Sequence, residues 1–545
     1  MHEMVILSIR QLPSCIGISP VVLNMRQRVM MFGLDGAPWT LLSHWISKSK
    51  LPTFKRITQL GSKGILKSTI PCVTFPAVPS MLTGMNPGNL GVFSFIKPDG
   101  SSISMRDIRY QKIWNILDQQ NRSSCILNVP LTFPPEKING LMISGWIPSE
   151  KSNYTYPKDL RKLGFYNDDV DTKIFRLRYK KNNPIYRMKL IDLTIERTER
   201  RYNIFKKLNR EKDYDFSLFW VSETDILQHC CWEYKESLLQ FYIKLDNLLS
   251  DALSSFPDRN LFVVSDHGFE SRPRQFFFAN TWLQKQGYLK KSRGMGGALH
   301  YFFNFGEVFA YNYLSQRLIG KILAFWRSLK KHKADSNQEC VMEKIDNFPG
   351  IDRKNSKAYL GTLFGIHVNN CSSYEAIREE IIEKLRKLRD GNGAKVMRNV
   401  WKKEEVFMGE YLKEIPDIIF RTSEKYMPFP ALTKNLFGKV KRTQYWWQTG
   451  EHYRARDGIL LACGPAIRKK NDPLSTRIEN IAPTILYLIG CEIPKHVDGR
   501  VLTEICVLTR KPILKEHEQV TEEIRRLKRE DEEKIKDRLR KLGYL

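Results

Sequence analysis

An aspartate and a histidine stand side by side just after a short apolar run. The run Leu261–Val264 predicts a buried strand, and Asp266, His267 and Gly268 follow it. Carboxylate and imidazole groups bind divalent metals, and ligands collect at the carboxyl ends of strands in open α/β sheets. Taken alone, the pair fits equally well a turn in which Asp266 caps the next segment and His267 is exposed.

Further metal-ligand side chains stand beside other predicted strands. Asp35 follows one apolar run and His452 precedes another. Asp225 and His229 follow a third run and stand four residues apart, so they share one face of a helical turn. The runs are Val29–Leu34, Ile459–Gly464 and Phe216–Val221. An Asp-x-x-x-His pair is a weak signal by itself, because chance supplies many.

A threonine is the candidate nucleophile. Thr74 precedes Pro76 and Pro79, and prolines suit the start of a helix, where their missing N–H groups would have had no partner. Thr74 would then lie just before a helix N-terminus, where free N–H groups and the helix dipole attract an anion. The alternative is a threonine that caps the helix and has no chemical role.

Together the candidates comprise three aspartates, three histidines and one hydroxyl. Hard or borderline divalent metals prefer such oxygen and nitrogen ligands, and the set is large enough for two ions. Two metals roughly 3.5–4 Å apart activate an attacking oxygen and stabilise the leaving oxygen in an in-line displacement at phosphorus.

These residues need a scaffold that brings several strand ends together. Strands and helices alternate from Arg28 onwards, which predicts an α/β fold with a central, mostly parallel sheet flanked by helices. A chain of 545 residues exceeds one ordinary core of roughly 250–300 residues, and a later strand-helix-strand block predicts an inserted cap. The predicted parts are an N-terminal extension over 1–27, a core over 28–290 and 441–508, an inserted cap region over 291–440 and a charged C-terminal helix over 509–545.

Positive charge dominates the composition. Lys and Arg number 88 against 59 Asp and Glu, and the resulting charge of +29 favours phosphates, nucleic acid or an anionic membrane as partners. A solvated basic surface is an equally good interpretation. Residues 151–212 are basic and tyrosine-rich, which predicts either a lid over an anionic substrate or a solvated helix face. No specific nucleic-acid motif is present, and the number of subunits stays open.

The cysteines and the apolar runs bear on the compartment. Ten cysteines without a C-x-x-C pair fit neither a zinc ribbon nor a small disulfide-rich domain, so reduced thiols in the cytoplasm are the simplest interpretation. No apolar run reaches the ~20 residues needed to cross a bilayer, so no transmembrane segment is predicted. Residues 1–27 are predicted to be a non-structural leader.

The order and spacing of the motifs resemble the alkaline phosphatase superfamily. The resemblance is to its type I phosphodiesterase/nucleotide pyrophosphatase branch and to the related phosphohydrolases and phosphomutases. It covers most of residues 28–505 and the tail. The motifs that carry it are Gly33-Leu34-Asp35-Gly36, Thr74-Phe75-Pro76, Met81-Leu82-Thr83-Gly84 with Asn86-Pro87-Gly88, Asp225-Ile226-Leu227-Gln228-His229, Asp266-His267-Gly268-Phe269, Gly450-Glu451-His452, Asp457-Gly458-Ile459, Gly464-Pro465, Ala482-Pro483-Thr484, Asp498-Gly499-Arg500 and the ending Arg538–Leu545.

The resemblance implies an alkaline-phosphatase-like sandwich and a hydrolase that acts on phosphate esters, first of all a phosphodiesterase. It implies two divalent ions, with zinc as the first choice and manganese or iron as alternatives. The implied ligands are Asp225, His229 and His452 for one ion, and Asp35, Thr74, Asp266 and His267 for the other. It further implies that Thr74 attacks in line and forms a phospho-threonine intermediate.

One position departs from the pattern of this family. Nucleotide pyrophosphatases of this type carry an asparagine three residues after the nucleophile, where this chain has Ala77, so backbone N–H groups or a basic side chain must do that electrostatic work. Four arginines flank the motifs and could clamp a phosphoryl oxygen, although a surface position is the simpler interpretation of each. They are Arg272, Arg274, Arg454 and Arg456. A sulfatase is disfavoured, because no Cys or Ser occupies the nucleophile position in a C/S-x-P-x-R arrangement.

Two other functions are alternatives. A phosphomutase would use the same two-metal site and return the phosphoryl group to its substrate. A non-catalytic basic binding protein would keep the fold around a degenerate site. Stoichiometric metal and turnover that depends on Thr74 would argue against the second alternative.

Overall fold

The computed structural model describes residues 27–95, 102–147, 149–292, 350–439 and 448–516, together with residues 532, 533, 535 and 536. The predicted extension over 1–27, apart from its last residue, lies outside the described residues. So do most of the predicted charged helix over 509–545 and the ending Arg538–Leu545.

The first part of the chain alternates strands and helices. Its strands are β1 (Val29–Leu34), β2 (Ser62–Lys67), β3 (Ser124–Leu127), β4 (Gly140–Ile143), β5 (Thr155–Tyr156), β6 (Phe216–Val221), β7 (Asn260–Val264), β8 (Glu270–Ser271) and β9 (Gln275–Phe278). Its helices are α1 (Trp39–Ser47), α2 (Pro52–Leu60), α3 (Thr74–Thr83), α4 (Pro87–Leu90), α5 (Ile113–Gln119), α6 (Asp168–Arg178), α7 (Pro184–Glu211), α8 (Glu223–Cys231), α9 (Lys235–Ser255) and α10 (Ala279–Lys285).

The later part of the chain is richer in strands. Between 350 and 439 these are β10 (Ala358–Thr362), β11 (Gly365–Val368), β12 (Met397–Lys402), β13 (Ile418–Thr422), β14 (Tyr426–Phe429) and β15 (Phe437–Lys439), with the helix α11 (Tyr374–Lys387). After 448 follow β16 (Gly450–Glu451), β17 (Asp457–Cys463), β18 (Leu474–Arg477), β19 (Ile493–Pro494) and β20 (Leu514–Lys515), with the helix α12 (Ile481–Ile489).

A nine-stranded sheet lies at the centre of the fold, in the order β18-β2-β17-β7-β1-β6-β3-β4-β5. β1 pairs in parallel with β6 and β7, β3 pairs in parallel with β4 and β6, and β18 pairs in parallel with β2. Only β17 and the edge strand β5 run antiparallel to their neighbours in this sheet. β1, β6 and β7 are buried along their whole length, as in parallel sheets covered on both faces. The predicted α/β fold with a mostly parallel central sheet flanked by helices is confirmed.

The long helix α7 is part of this main layer. Asn183 accepts a hydrogen bond from the Ile185 N–H at 2.9 Å, and Pro184 fills the first helical position, so the Asn-Pro pair starts the helix. Further along, Phe205 stacks on Phe219 of β6 with ring centroids 5.3 Å apart. The second half of the range predicted as a basic lid therefore packs on the central sheet.

A second sheet forms the inserted cap. Its order is β10-β11-β13-β12, and all its pairings are antiparallel. Apolar side chains from this sheet, from α11 and from α10 form a core of their own, which includes Trp282, Ile366, Ile381 and Phe420. A small sheet, β14-β9-β15, pairs the end of the cap with β9. The cap is observed as predicted, and the exact boundaries of the predicted parts stay predictions.

Register brings the strand ends together. Gly33 of β1 pairs with Trp220 of β6 and with Val264 of β7, so these strands finish side by side. β17 runs the other way beside β7, with Leu460 opposite Val264, and so begins at the same edge. The segments that leave or enter this edge carry the candidate residues.

Among the helices that the structure describes, none has both the length and the apolar content that crossing a bilayer requires. Eight of the ten cysteines lie in the described residues, and all eight are free thiols.

Candidate functional site

The structure brings all seven candidate residues together at the carboxyl edge of the central sheet. The segments after β1, β6 and β7 supply five of them, the first residue of α3 supplies one, and the segment before β17 supplies the last. They are Asp35, Thr74, Asp225, His229, Asp266, His267 and His452, and none is more than 3% exposed. The described part of the chain therefore covers these ligand atoms almost completely.

One group of ligand atoms surrounds Nε2 of His267. This nitrogen lies 3.3 Å from Oδ2 of Asp266 and 3.6 Å from Oδ1 of Asp35. Oγ1 of Thr74 is 3.3 Å from the same nitrogen and 3.5 Å from Oδ1 of Asp35. These are the four residues to which the resemblance assigns one ion.

A second group is centred on Oδ1 of Asp225. Nε2 of His229 lies 3.4 Å from it and Nε2 of His452 lies 3.9 Å from it. The rings of His267 and His452 stack with centroids 4.2 Å apart and so join the two groups. Ligand atoms of Asp225, His267 and His452 lie within 4.8 Å of one another, as do those of Asp35, Asp266 and His267. His267 thus stands within reach of both groups.

The backbone fixes the orientation of each histidine. Nδ1 lies 3.1 Å from the Gly450 carbonyl oxygen in His229, 3.0 Å from that of Gly268 in His267, and 2.8 Å from that of Cys72 in His452. A carbonyl oxygen only accepts, so in each ring Nδ1 carries the proton of this contact and Nε2 is the nitrogen that faces the site. A metal-binding imidazole has this arrangement, with its outer N–H donated and its other nitrogen aimed at the ion.

Burial also keeps two of these rings neutral. It lowers the pKa of His229 to about 3 and lowers the pKa of His452 well below the ordinary value for histidine. At neutral pH both side chains therefore have an unprotonated nitrogen available for a metal.

In the site, carboxylate oxygens and imidazole nitrogens face one another, although all of them are hydrogen-bond acceptors. Oδ1 of Asp266 accepts from the Gly36 N–H at 3.1 Å, but its buried Oδ2 has no hydrogen-bond donor among the described residues. Burial, with the charges of Asp266 and Asp225, raises the pKa of Asp35 well above its ordinary value. A cation between these oxygens and nitrogens would relieve the repulsion, and the ligand set suits zinc, manganese or iron. The residues present therefore fit divalent metal ions.

Thr74 is the first residue of α3, so the helix begins one residue earlier than the sequence predicts. The N-cap is Val73, which makes no side-chain hydrogen bond, so the hydroxyl of Thr74 does not serve as a cap. N–H groups in the first turn of a helix lack intrahelical acceptors and attract anions. Pro79 lies inside α3, beyond its first turn, and Ala77 is fully buried.

Several residues that hold the site were not predicted from the sequence. Trp220 at the end of β6 donates from Nε1 to Oδ2 of Asp35 at 3.2 Å. On α8, Thr224 donates to the carbonyl of Asp35 at 2.6 Å, and Gln228 donates to that of Gly36 at 3.0 Å. Thr224 and Gln228 are four residues apart, and each directly precedes a ligand candidate. That repeated spacing is the signal that could have identified them.

The four arginines near the motifs differ in their surroundings. Arg454 is buried, donates from Nε to Glu270 at 2.8 Å and forms an ion pair of 2.9 Å with Glu451, so the surface interpretation is wrong for this residue. Arg274 is 84% exposed, as that interpretation expects. The two others, Arg272 and Arg456, are half-buried.

Two arginine charges act on the segment just before the candidate nucleophile. Burial raises the pKa of the Cys72 thiol, two residues before Thr74, and the charges of Arg421 and Arg456 oppose this rise. Nε of Arg421 is buried and has no hydrogen-bond acceptor among the residues that the structure describes. The sequence had not singled out Arg421, because it comes from β13 of the cap.

Comparison with known proteins identifies the family. A family model described as type I phosphodiesterase/nucleotide pyrophosphatase matches residues 29–435. No curated protein sequence matches the chain.

Two solved structures are similar to this chain, and the fold is shared with the first of them. Phosphonoacetate hydrolase from Sinorhizobium meliloti 1021, in complex with phosphonoformate, is 15% identical and has a TM-score of 0.51, covering 86% of this chain and 96% of its own. Murine ectonucleotide pyrophosphatase/phosphodiesterase 5, in complex with AMP, is 13% identical and has a TM-score of 0.47, covering 88% of this chain and 100% of its own. From the family match, the chain belongs to the type I phosphodiesterase/nucleotide pyrophosphatase family of the alkaline phosphatase superfamily, and is a metal-dependent hydrolase of phosphate esters.

Proposed function

We propose that the chain is a phosphodiesterase and that Thr74 is its nucleophile. The observation that carries the proposal is the position of Oγ1 of Thr74, which lies 3.5 Å from Oδ1 of Asp35 and 3.3 Å from Nε2 of His267. The hydroxyl stands between a buried set of metal-ligand atoms and the start of α3, which attracts anions. A phosphate group held by that helix end would therefore be within reach of the hydroxyl.

Two divalent ions belong to this proposal, with zinc as the first choice and manganese or iron as alternatives. The proposed ligands are Asp225, His229 and His452 for one ion, and Asp35, Thr74, Asp266 and His267 for the other. When bound, such ions supply Lewis-acid stabilisation of the charge at phosphorus and of the attacking oxygen.

The proposed reaction has two steps. Oγ1 of Thr74 attacks phosphorus in line with the leaving oxygen, so that the Oγ1–P bond forms and the P–O bond to the alcohol breaks. The hydroxyl proton passes to solvent, and the departing oxygen takes a proton from solvent. Water then attacks the phospho-threonine, releases the phosphate monoester and restores the hydroxyl.

The chain itself stabilises the developing charge through α3 and Arg421. The N-terminus of α3 presents the positive end of the helix dipole to the phosphoryl group. Since Ala77 has no side-chain amide, we assign the remaining electrostatic work to Arg421, whose Nε is buried and has no acceptor among the described residues. A side chain of the cap would thus complete a site built on the central sheet.

Hydrolysis of a bis-aryl phosphate diester, compared with the matching aryl monoester, tests the proposal with Zn²⁺ or Mn²⁺ supplied. We expect the wild type to prefer the diester. Thr74→Ala should lose roughly 10³-fold or more in kcat, as removal of a nucleophile does. Thr74→Ser is the matched control, because it keeps a hydroxyl at the same atom and should retain activity.

Three results would count against parts of this proposal. Diester cleavage by Thr74→Ala at the wild-type rate would exclude Thr74 as the nucleophile. Two bound metals per chain without cleavage of either ester would redirect the search to phosphomutase substrates. A protein that binds no divalent metal would contradict the proposed site itself.

A further inference from the structure

The turn between α6 and α7 exposes apolar side chains to water. We call residues 173–189 the hairpin tip. Within it Ile185 is 74% exposed, Met188 58%, Tyr186 39% and Tyr179 37%. Ile185 and Met188 stand three residues apart on α7 and so share one face. Large aliphatic side chains this exposed are a cost in water unless a partner covers them.

The same tip is strongly basic. The twenty residues between Asp171 and Asp192 contain seven Lys or Arg and no Asp or Glu. Lys173, Arg176, Lys180 and Lys189 are all exposed. Apolar and positive groups are therefore mixed on one small surface.

The tip is held firmly against the rest of the molecule. Arg187 lies over the ring of Tyr234, with its guanidinium carbon 3.9 Å from the centroid, and donates from Nε to Ser237 at 3.2 Å. The hydroxyl of Tyr234 donates to Oδ1 of Asn182 at 3.1 Å. Because Tyr234 comes five residues after His229, these contacts fix the tip on the side of the molecule where the site lies.

We propose that the hairpin tip docks on the surface of an anionic phospholipid membrane. Ile185 and Met188 would enter the boundary between head groups and acyl chains, while the lysines and arginines meet the lipid phosphates and carboxylates. A second copy of the chain would bring the same positive charge to the contact, which opposes association. Nucleic acid would satisfy the charge but leave the aliphatic side chains in water.

Co-sedimentation with vesicles tests the proposal on the full-length chain. The wild type should bind vesicles of phosphatidylcholine mixed with phosphatidylserine, should bind phosphatidylcholine alone much more weakly, and should lose binding as salt is added. The double variant Ile185→Ser/Met188→Ser should lower the partition coefficient by at least about tenfold through lost apolar burial. Lys180→Glu/Lys189→Glu should lower it by a similar factor through charge.

Matched controls separate the tip from general effects. Ile513→Ser/Leu514→Ser removes two aliphatic side chains that are 56% and 55% exposed elsewhere, and should leave vesicle binding unchanged. Lys48→Glu/Lys50→Glu makes the same charge change on another exposed segment and should lower binding far less than the tip variant. Unchanged hydrolysis of a small soluble diester shows that each variant is folded.

Several outcomes would overturn the proposal. These are absence of wild-type binding to the anionic vesicles, equal binding to both vesicle types, and tip variants that bind as well as the wild type. A dimer in solution that Ile185→Ser/Met188→Ser converts to a monomer would show that a second copy covers the tip. Binding of RNA without binding of vesicles would assign the charge to nucleic acid.

Discussion

Three main-chain carbonyls orient the imidazoles of the site. Since the carbonyls of Gly450, Gly268 and Cys72 hold the outer nitrogens, the rings are set by the path of the backbone. Asp35 is different, because one indole N–H supports it while two neighbouring carboxylates repel it. In the metal-free site Asp35 should therefore favour the folded state as the pH falls, whereas the lowered pKa values of His229 and His452 act in the opposite direction.

We expect Asp35 to make the metal-free protein more stable as the pH falls. Burial and the charges of Asp266 and Asp225 raise its folded pKa above the ordinary 3.8, so the folded chain holds this proton more tightly than the unfolded chain. The destabilisation is complete above the raised pKa and vanishes as the pH falls towards 3.8. Urea unfolding of chelator-treated wild type and Asp35→Asn across this range measures the effect, because the variant lacks the titration.

A constant difference between these two proteins across the pH range would contradict this prediction. Restoring Zn²⁺ to the wild type should reverse the trend, because protons then compete with the metal for the same carboxylate. The reversal distinguishes the site from the general acid response of the chain.

The ligand candidates could be predicted from the sequence because each stands beside an apolar run. Asp35, Asp266 and His452 all border strands that the structure contains, and it brings them together, although their roles stay predictions. Trp220 and Arg421 could not be found in this way. Their contribution depends on contacts with residues far away in the chain, and a tryptophan in a strand is ordinarily a core residue.

At the scale of the elements, a glycine in β1 makes room for the ring of Trp220 in the neighbouring strand β6. A Cβ built on Gly33 would lie 2.1 Å from Cε3 of Trp220. The absence of that carbon lets the indole lie across β1 and reach Asp35. Gly33 is thus needed for close approach of a ring to the backbone, at the end of the strand that carries the first ligand.

Gly33→Ala should therefore damage both the fold and the site. We expect a loss of about 1–3 kcal/mol in the free energy of unfolding, as for overpacked cores, and about a tenfold or larger loss of diester hydrolysis as Asp35 loses its indole donor. Gly391→Ala is the control, since a Cβ there meets nothing within 4 Å. Denaturant unfolding and kcat/KM on the diester measure the two effects, and a fully active, stable Gly33→Ala protein would contradict the account.

Strands were predictable where apolar residues run without interruption. The predicted runs Val29–Leu34 and Phe216–Val221 coincide with β1 and β6, and Leu261–Val264 falls one residue short of β7. The start of the helix at Thr74 was harder to predict. Proline usually marks the first turn of a helix, but Pro79 lies inside α3 and so does not indicate where the helix begins. Local pattern therefore located these elements and misplaced several of their ends by one or two residues, as for the run Ile459–Gly464 against β17.

At the scale of the molecule, Arg454 joins the site to the cap. It pairs with Glu270 and Glu451 on the core side, and its guanidinium donates to the carbonyl of Tyr426 in β14 at 3.1 Å. Burial raises the pKa of Glu451, and the charge of Arg454 opposes the rise. Glu451 directly precedes the ligand candidate His452, so the ion pair also braces that segment.

Arg454→Met should cost about 3–5 kcal/mol in the free energy of unfolding, because it leaves a buried carboxylate without its partner. Diester hydrolysis should fall as well, through movement of His452. Adding Glu451→Gln should recover part of the stability, since the unpaired charge is then gone. Arg274→Met, at an 84% exposed position, should change stability by no more than about 0.5 kcal/mol. Equal effects of the two methionine variants would rule out the bracing role.

The arrangement of the whole molecule was the least predictable level. The α/β class and the existence of a cap follow from alternating elements, but β11 pairs with β13 rather than with β12, and β9 pairs with β14 and β15 much later in the chain. Short strands of this kind have no sequence signal for their partners, since register depends on burial against the rest of the structure.

The position of β17 has a consequence for how the protein is made. β2 lies between β17 and β18, so both of its neighbours come from the far end of the chain. While a ribosome is still translating the cap, β2 and the free edge of β7 have no partner strand, and the histidine at position 452 does not yet exist. The roughly 390 residues between β2 and β17 take about 20–80 s to synthesise at 5–20 residues per second, long enough for open strand edges to pair wrongly. We therefore expect the nascent chain to be inactive and open to mispairing until the segment that carries His452, β17 and β18 has been made.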